Sequence, residues 1–123
     1  MDKVNLDGLK SFITADGSAI RELAGLAGTG GRAHAQSLAE ASLDPGGETS
    51  EHYHPRAEEL YYFVAGEGRM RLGRDEAAVA AGDCVVIAPG TPHKLWNTGV
   101  ERLVLLCCCA PPYRDDDTVL TGG

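Results

Sequence analysis

Hydrophobic and polar positions along the chain fall into short runs broken by turn residues, with little sustained helical periodicity. The clearest run is LYYFVA from Leu60 to Ala65, apolar, aromatic and β-branched, which ends at Gly66-Glu67-Gly68. Arg69 to Leu72 then alternates and stops at Gly73-Arg74-Asp75, so the two runs predict a hairpin. After Gly82-Asp83, CVVIA runs to Pro89-Gly90; His93 to Trp96 follows, Asn97-Thr98-Gly99 turns the chain, and Leu103 to Cys109 reads as a buried strand closed by Pro111-Pro112. Strands this short, separated by regular turns, predict an all-β sandwich or barrel. The first 45 residues are more ambiguous. IRELAGLA, from Ile20, fits a strand or a short helix, whereas Ala33 to Leu43 is helical by propensity and a strand by context. Arg114 to Gly123, with three consecutive aspartates, reads as a solvated, partly mobile extension.

Composition narrows the picture. A chain of 123 residues with 43% hydrophobic residues suits a single domain, 1–123, around one core. Its 18 acidic residues outnumber its 11 basic ones, giving a net charge of -7 with no basic stripe, which argues against nucleic acid and anionic membrane as partners. The longest run free of charge, Gly and hydroxyl groups, Leu103 to Ala110, is far short of the roughly 20 residues needed to cross a bilayer. The first residues carry Asp2, Lys3 and Asp7 rather than a secretory apolar stretch, so a cytoplasmic setting is expected. The four cysteines, Cys84 and the consecutive Cys107, Cys108 and Cys109, form no CxxC pair and read as small hydrophobes of strands. Gly28-Thr29-Gly30-Gly31-Arg32-Ala33 matches a GxGxxA fingerprint formally but lacks the βαβ setting that dinucleotide binding requires, so it reads as a glycine loop.

Histidine placement supplies the chemistry. Two of only four histidines form His52-Tyr53-His54, with Glu58 and Glu59 close behind. Alternate side chains of a strand share a face about 6 to 7 Å apart, a span two imidazoles can close on one metal ion. An unbroken strand would send Glu59 to the opposite face, so a bend at Pro55-Arg56-Ala57 has to reset the register. The pattern alone leaves Glu58 and Glu59 as alternatives, and likewise His93 and His34 for a further ligand.

The segment Gly46 to Gly66, GGETSEHYHPRAEELYYFVAG, resembles the first motif of the cupin superfamily, with Gly46, His52, His54, Glu59 and Gly66 at its fixed positions. Gly82 to Asn97, GDCVVIAPGTPHKLWN, is similar to the second, with Gly82, Gly90, His93 and Asn97 in place and Ala88 where the motif has proline. The resemblance, to small mannose-6-phosphate-isomerase-like cupins, implies a double-stranded β-helix (a jelly-roll barrel). It implies one divalent transition metal per chain (Fe, Mn, Ni, Co or Zn) on His52, His54, Glu59 and His93, leaving His34 without a role. Three neutral imidazoles and a carboxylate leave such a centre near +1 with two open octahedral positions. The implied function is a metalloenzyme acting on a small organic substrate, an oxygenase or a sugar isomerase or epimerase. In that reading Glu59 is the nearest base and Tyr61 orients substrate. The alternative is a non-catalytic module that binds or senses a sugar or carboxylate. Tyr61 and Phe63 share Glu59's parity and should face the cavity or core, as should Leu95, while Trp96 faces outward. Cys107 or Cys109 points inward, and Arg69 and Arg71 share one strand face, which is more simply the surface than an anion clamp. Apolar residues on the outer faces lead us to expect a homodimer.

Overall fold

The computed structural model describes residues 1–28 and 30–123; Thr29, within the glycine loop that carries the GxGxxA match, lies outside them. Among the described residues twelve strands follow one another: β1 (Phe12–Ile13), β2 (Ala19–Gly25), β3 (Gly31–Arg32), β4 (Ser37–Leu43), β5 (His52–Tyr53), β6 (Glu58–Ala65), β7 (Glu67–Leu72), β8 (Asp75–Ala80), β9 (Cys84–Ile87), β10 (His93–Trp96), β11 (Leu103–Ala110) and β12 (Val119–Leu120). They form two sheets. The first runs β1-β2-β4-β11-β6-β9, with β3 joined to β2, and the second runs β12-β5-β10-β7-β8. The jelly-roll expectation therefore holds.

Strict alternation explains why the sheets close over a core. Along β6, Glu59, Tyr61 and Phe63 are buried while Leu60, Tyr62 and Val64 are exposed, the period of two that a strand imposes. Phe63, Ile87, Leu95, Leu103 and Leu105 form the fully buried centre between the sheets. The turn from β6 to β7 is tight because Gly66 takes a positive φ of 83°, and a Cβ there would lie 2.7 Å from the Arg102 carbonyl oxygen. Asn97 locks the loop between β10 and β11: its side-chain amide donates to the Leu43 and Glu101 carbonyls, and its side-chain oxygen accepts from the Gly99 N–H. The turn where Ala88 replaces proline stays closed, since Gly90 N–H donates to the His54 carbonyl and Thr91 N–H to that of Ala88.

Four sequence readings are refined. IRELAGLA is strand, pairing with β4 from Ala19 to Ala24, because partners across the sheet override the weak helical spacing. β8 went unread: it is an Ala-rich edge strand with only Val79 buried, and it begins at Asp75, so the preceding turn is Gly73-Arg74 alone. Arg69 and Arg71 do face the surface, where they pair with Glu76 and Glu51. The tail is the substantive correction. Instead of a mobile extension, it forms a short 3-10 turn over Asp115–Asp117, buries Asp117, and adds β12 beside β5. The acidic run concealed one aspartate whose carboxylate has backbone N–H groups to satisfy.

Candidate metal centre

Two strands of the second sheet supply the first pair of imidazoles. His52 on β5 and His93 on β10 are directly opposed partners in the antiparallel ladder, so their rings lie on the same face with centroids 4.3 Å apart. His54 follows β5 by one alternation, 5.1 Å from His52 and 5.5 Å from His93. The chain then bends at Pro55-Arg56, and β6 begins in the other sheet. The bend is stabilised from outside, because both carboxylate oxygens of Asp117 accept from it: Oδ1 from Arg56 N–H (3.0 Å) and Oδ2 from Ala57 N–H (3.1 Å). Proline has no donor to satisfy, so the two N–H groups the bend turns inward are both paired. After this reset Glu59 is buried and faces the histidines, whereas Glu58 is exposed. His34 is exposed as well and lies apart from the group.

One ligand atom from each of His52, His54, Glu59 and His93 lies within 4.8 Å of the others, and all four residues are buried. The hydrogen bonds fix how the rings present themselves. Each Nδ1 meets a backbone carbonyl, of Ser50 at 2.8 Å, Asp117 at 3.0 Å and Thr91 at 2.9 Å respectively. A carbonyl can only accept, so each Nδ1 is the donor, and a neutral ring held this way has its Nε2 lone pair left for an ion. Those lone pairs face a carboxylate: His54 Nε2 is 3.2 Å and His93 Nε2 3.4 Å from Glu59 Oε1. Glu59 Oε1 and His93 Nε2 are buried without any hydrogen-bond partner. Four acceptors converging in a buried space are stable only around a cation or shared protons. The donor set therefore fits a divalent transition ion, with the carbonyls orienting the rings from behind.

Electrostatics agree with a polarised cluster. Burial pushes the Glu59 carboxyl up, but His54 and His93 outweigh it and hold it down to about 2. Burial, reinforced by His93, lowers His52, whereas for His54 the pull of Glu59 exceeds burial and raises it. Tyr61 packs edge-on against His93 with centroids 5.8 Å apart, and burial followed by the negative Glu59 pushes its phenol far up, so it stays a neutral donor. Cys109 points inward, its Sγ 3.2 Å from Glu59 Oε2, and Cys107 also lines the cavity. Burial first and Glu59 second raise both thiols, which makes them inert packing groups.

The cluster sits in a cavity of about 560 Å³ lined by β2, β4, β6 and β11. Beside His52 it holds residues that sequence reasoning missed. In the hairpin between β1 and β2, Asp16 Oδ1 accepts from Thr14 Oγ1, Ser18 N–H and Ser18 Oγ, leaving Oδ2 facing His52 Nε2 at 3.6 Å. The Ser50 peptide ties the two together, donating its N–H to the Asp16 carbonyl while its own carbonyl accepts from His52. Glu22 on β2 is also buried in this wall, accepts from Ala27 N–H, and is raised chiefly by burial. The available signal was Asp16-Gly17, a hairpin-forming dipeptide.

Such a two-sheet roll, with three histidines and a glutamate gathered at one end of its cavity, defines a class of small β-barrel proteins. The family model "Cupin domain" matches residues 39–109, and the chain belongs to that family. An uncharacterized protein of Methanocaldococcus jannaschii is 44% identical over 116 residues, covering 94% of this chain and 91% of that protein. The oxalate-binding protein of Thermotoga maritima is 32% identical over 65 residues, 53% of this chain and 54% of that one. Among solved structures, the Streptomyces nucleoside dehydratase Pac13 superposes with a TM-score of 0.80 at 17% identity, covering 99% of this chain and 92% of its own, a likeness of fold alone.

Proposed function

We propose that this chain is a cytoplasmic, metal-centred cupin in which His52, His54, Glu59 and His93 hold one divalent transition ion, and that it acts as an enzyme on a small organic molecule. The observation that carries the reading is the gathering of one ligand atom from each of these four buried residues within 4.8 Å of the others, with a carbonyl behind each imidazole. When bound, the ion supplies Lewis-acid polarisation of a substrate oxygen. The chain's own residues do the rest. Tyr61 offers a neutral phenol as a donor, Asp16 Oδ2 offers an acceptor beside the centre, and the apolar wall of Leu43, Leu95 and Leu105 excludes water from the ligand's far side. The four free cysteines suit a reducing compartment. No helix among the described residues is long and apolar enough to cross a membrane.

The likeness to an oxalate-binding protein favours a second reading, a module that binds a small molecule without breaking a bond. Metal analysis of protein purified without added metal tests the shared premise, with about one transition ion per chain expected. Protein that is metal-free and cannot be loaded overturns it. Oxygen-uptake assays after anaerobic iron loading, run across diketones, catechols and thiols, separate an oxygenase from an isomerase, because an isomerase consumes no oxygen. Turnover of no substrate class by a loaded protein that still binds ligand selects the binding module.

We also propose that the chain forms a homodimer through the outer face of the first sheet, where Leu60, Tyr62, Val64 and Val86 are all exposed. Light scattering at the monomer mass would refute it.

A further inference from the structure

We infer that the hairpin wall carrying Asp16 and Glu22 restricts this cavity to neutral, hydroxyl-bearing small molecules and disfavours carboxylate and phosphate anions. The inference builds on the metal-centred reading of the site, and it names the ligand class from the hairpin that borders the histidines at His52.

The charge around the cavity is one-sided. Asp16, Glu22 and Glu59 lie within it, and Asp115 and Asp116 border it. Arg114 is the one Lys or Arg among the described residues lining it, and both its Nε and an Nη are taken by Asp116 at 2.8 Å. An entering anion therefore meets no Lys or Arg without an acidic partner among the described residues of the lining, and Glu59 offsets one of the two charges of a divalent ion, leaving about +1. The hydroxyls of the wall do not compensate. Thr14 and Ser18 donate to Asp16 Oδ1, so what this side presents to a ligand is the acceptor Oδ2 of Asp16. A ligand hydroxyl can donate to that oxygen, whereas a carboxylate has no proton to give and would set two negative groups face to face. Glu59, buried in the same cavity, adds a further negative carboxylate to this side's balance. A phosphate, with more charge to satisfy and only the Asp116-paired guanidinium of Arg114 to meet it, is disfavoured most.

Glycerol and glycerate test this, because they share a carbon skeleton and differ by an alcohol against a carboxylate. Each is titrated by proton–nitrogen NMR into the metal-free protein, and by visible absorption into the cobalt-loaded protein, for wild type, Asp16→Asn, Glu22→Gln and the double variant. Removing the two charges should tighten glycerate about tenfold and weaken glycerol by at least about threefold, with the single variants in between. Glycerate affinity unchanged within twofold, or glycerol affinity unaffected, overturns the inference. A protein that takes up no cobalt defeats the metal reading alone, since the NMR titrations still report the wall. Should Asp16→Asn fail to fold, Glu22→Gln carries the same comparison with a smaller shift.

Discussion

The cavity has two walls built on different principles. The histidine wall is made of groups whose donors are all spent backwards, on the carbonyls of Ser50, Thr91 and Asp117, so that lone pairs face inward. The hairpin wall spends its donors on itself, as Thr14 and Ser18 close upon Asp16, and it too faces the cavity with an acceptor. The first wall needs a cation or shared protons between its acceptors. The second, partly open to water, does not. Metal affinity should therefore belong to one wall and ligand choice to the other, and substitutions should separate the two.

The largest effect is expected from His93→Ala, which removes a ligand that is 1% exposed and opens the centre. Metal retained after desalting should fall from about one ion per chain to near zero, measured by elemental analysis. Retention of a full ion would break the division between the walls. Next comes Phe63→Ala, at the fully buried core that holds both sheets together; by the usual cost of such truncations it should lose about 3 to 5 kcal/mol of unfolding free energy in denaturant titrations. The same change at Tyr62, outward on the same strand, should cost far less.

Asp117→Ala should follow. It strips the acceptor from two N–H groups of the Pro55-Arg56 bend, a loss of about 1 to 3 kcal/mol, and it loosens His54 enough to weaken metal binding roughly 10- to 100-fold in competition with a chelator. Acid should act on the histidine wall of the metal-free protein in a definite direction. Glu59 is held below its ordinary 4.5, to about 2, so its contribution to stability is present above pH 4.5 and is lost as pH falls from there toward 2. His52, held below its ordinary 6.5, adds to the loss, since the unfolded chain takes up the proton first as pH drops below 6.5; His54, raised, opposes it. Thermal midpoints measured across this range for wild type and Glu59→Gln should differ in slope below pH 4.5. The smallest effect belongs to His34→Ala, exposed and away from both walls, which should leave metal content and stability unchanged.

Half of the histidine wall was legible in the sequence because its spacing is local: HxH puts two rings on one side, whereas His93 was chosen over His34 only through the resemblance to the cupin motifs. Even the register reset at Pro55 followed from parity, although pattern alone could not choose Glu59 over Glu58. The inward set of β6 was equally readable, since Glu59, Tyr61 and Phe63 alternate with exposed neighbours. The hairpin wall was not readable in the same way. Asp16 reaches the cavity only because β2 pairs with β4, and that pairing depends on residues far apart in sequence. β8 escaped for a different reason, as an exposed edge strand has no buried face to leave an alternating trace. The tail misled because a run of aspartates looks solvated, and nothing local shows that Asp117 meets the N–H groups of residues 56 and 57.

That contact between Asp117 and the bend has a bearing on how the protein matures. His52, His54 and His93 are all synthesised before residue 117, so the three rings exist in the chain while that of His54 still lacks its rear support. An ion bound to these residues should therefore be held tightly only once Asp117 has closed on the bend.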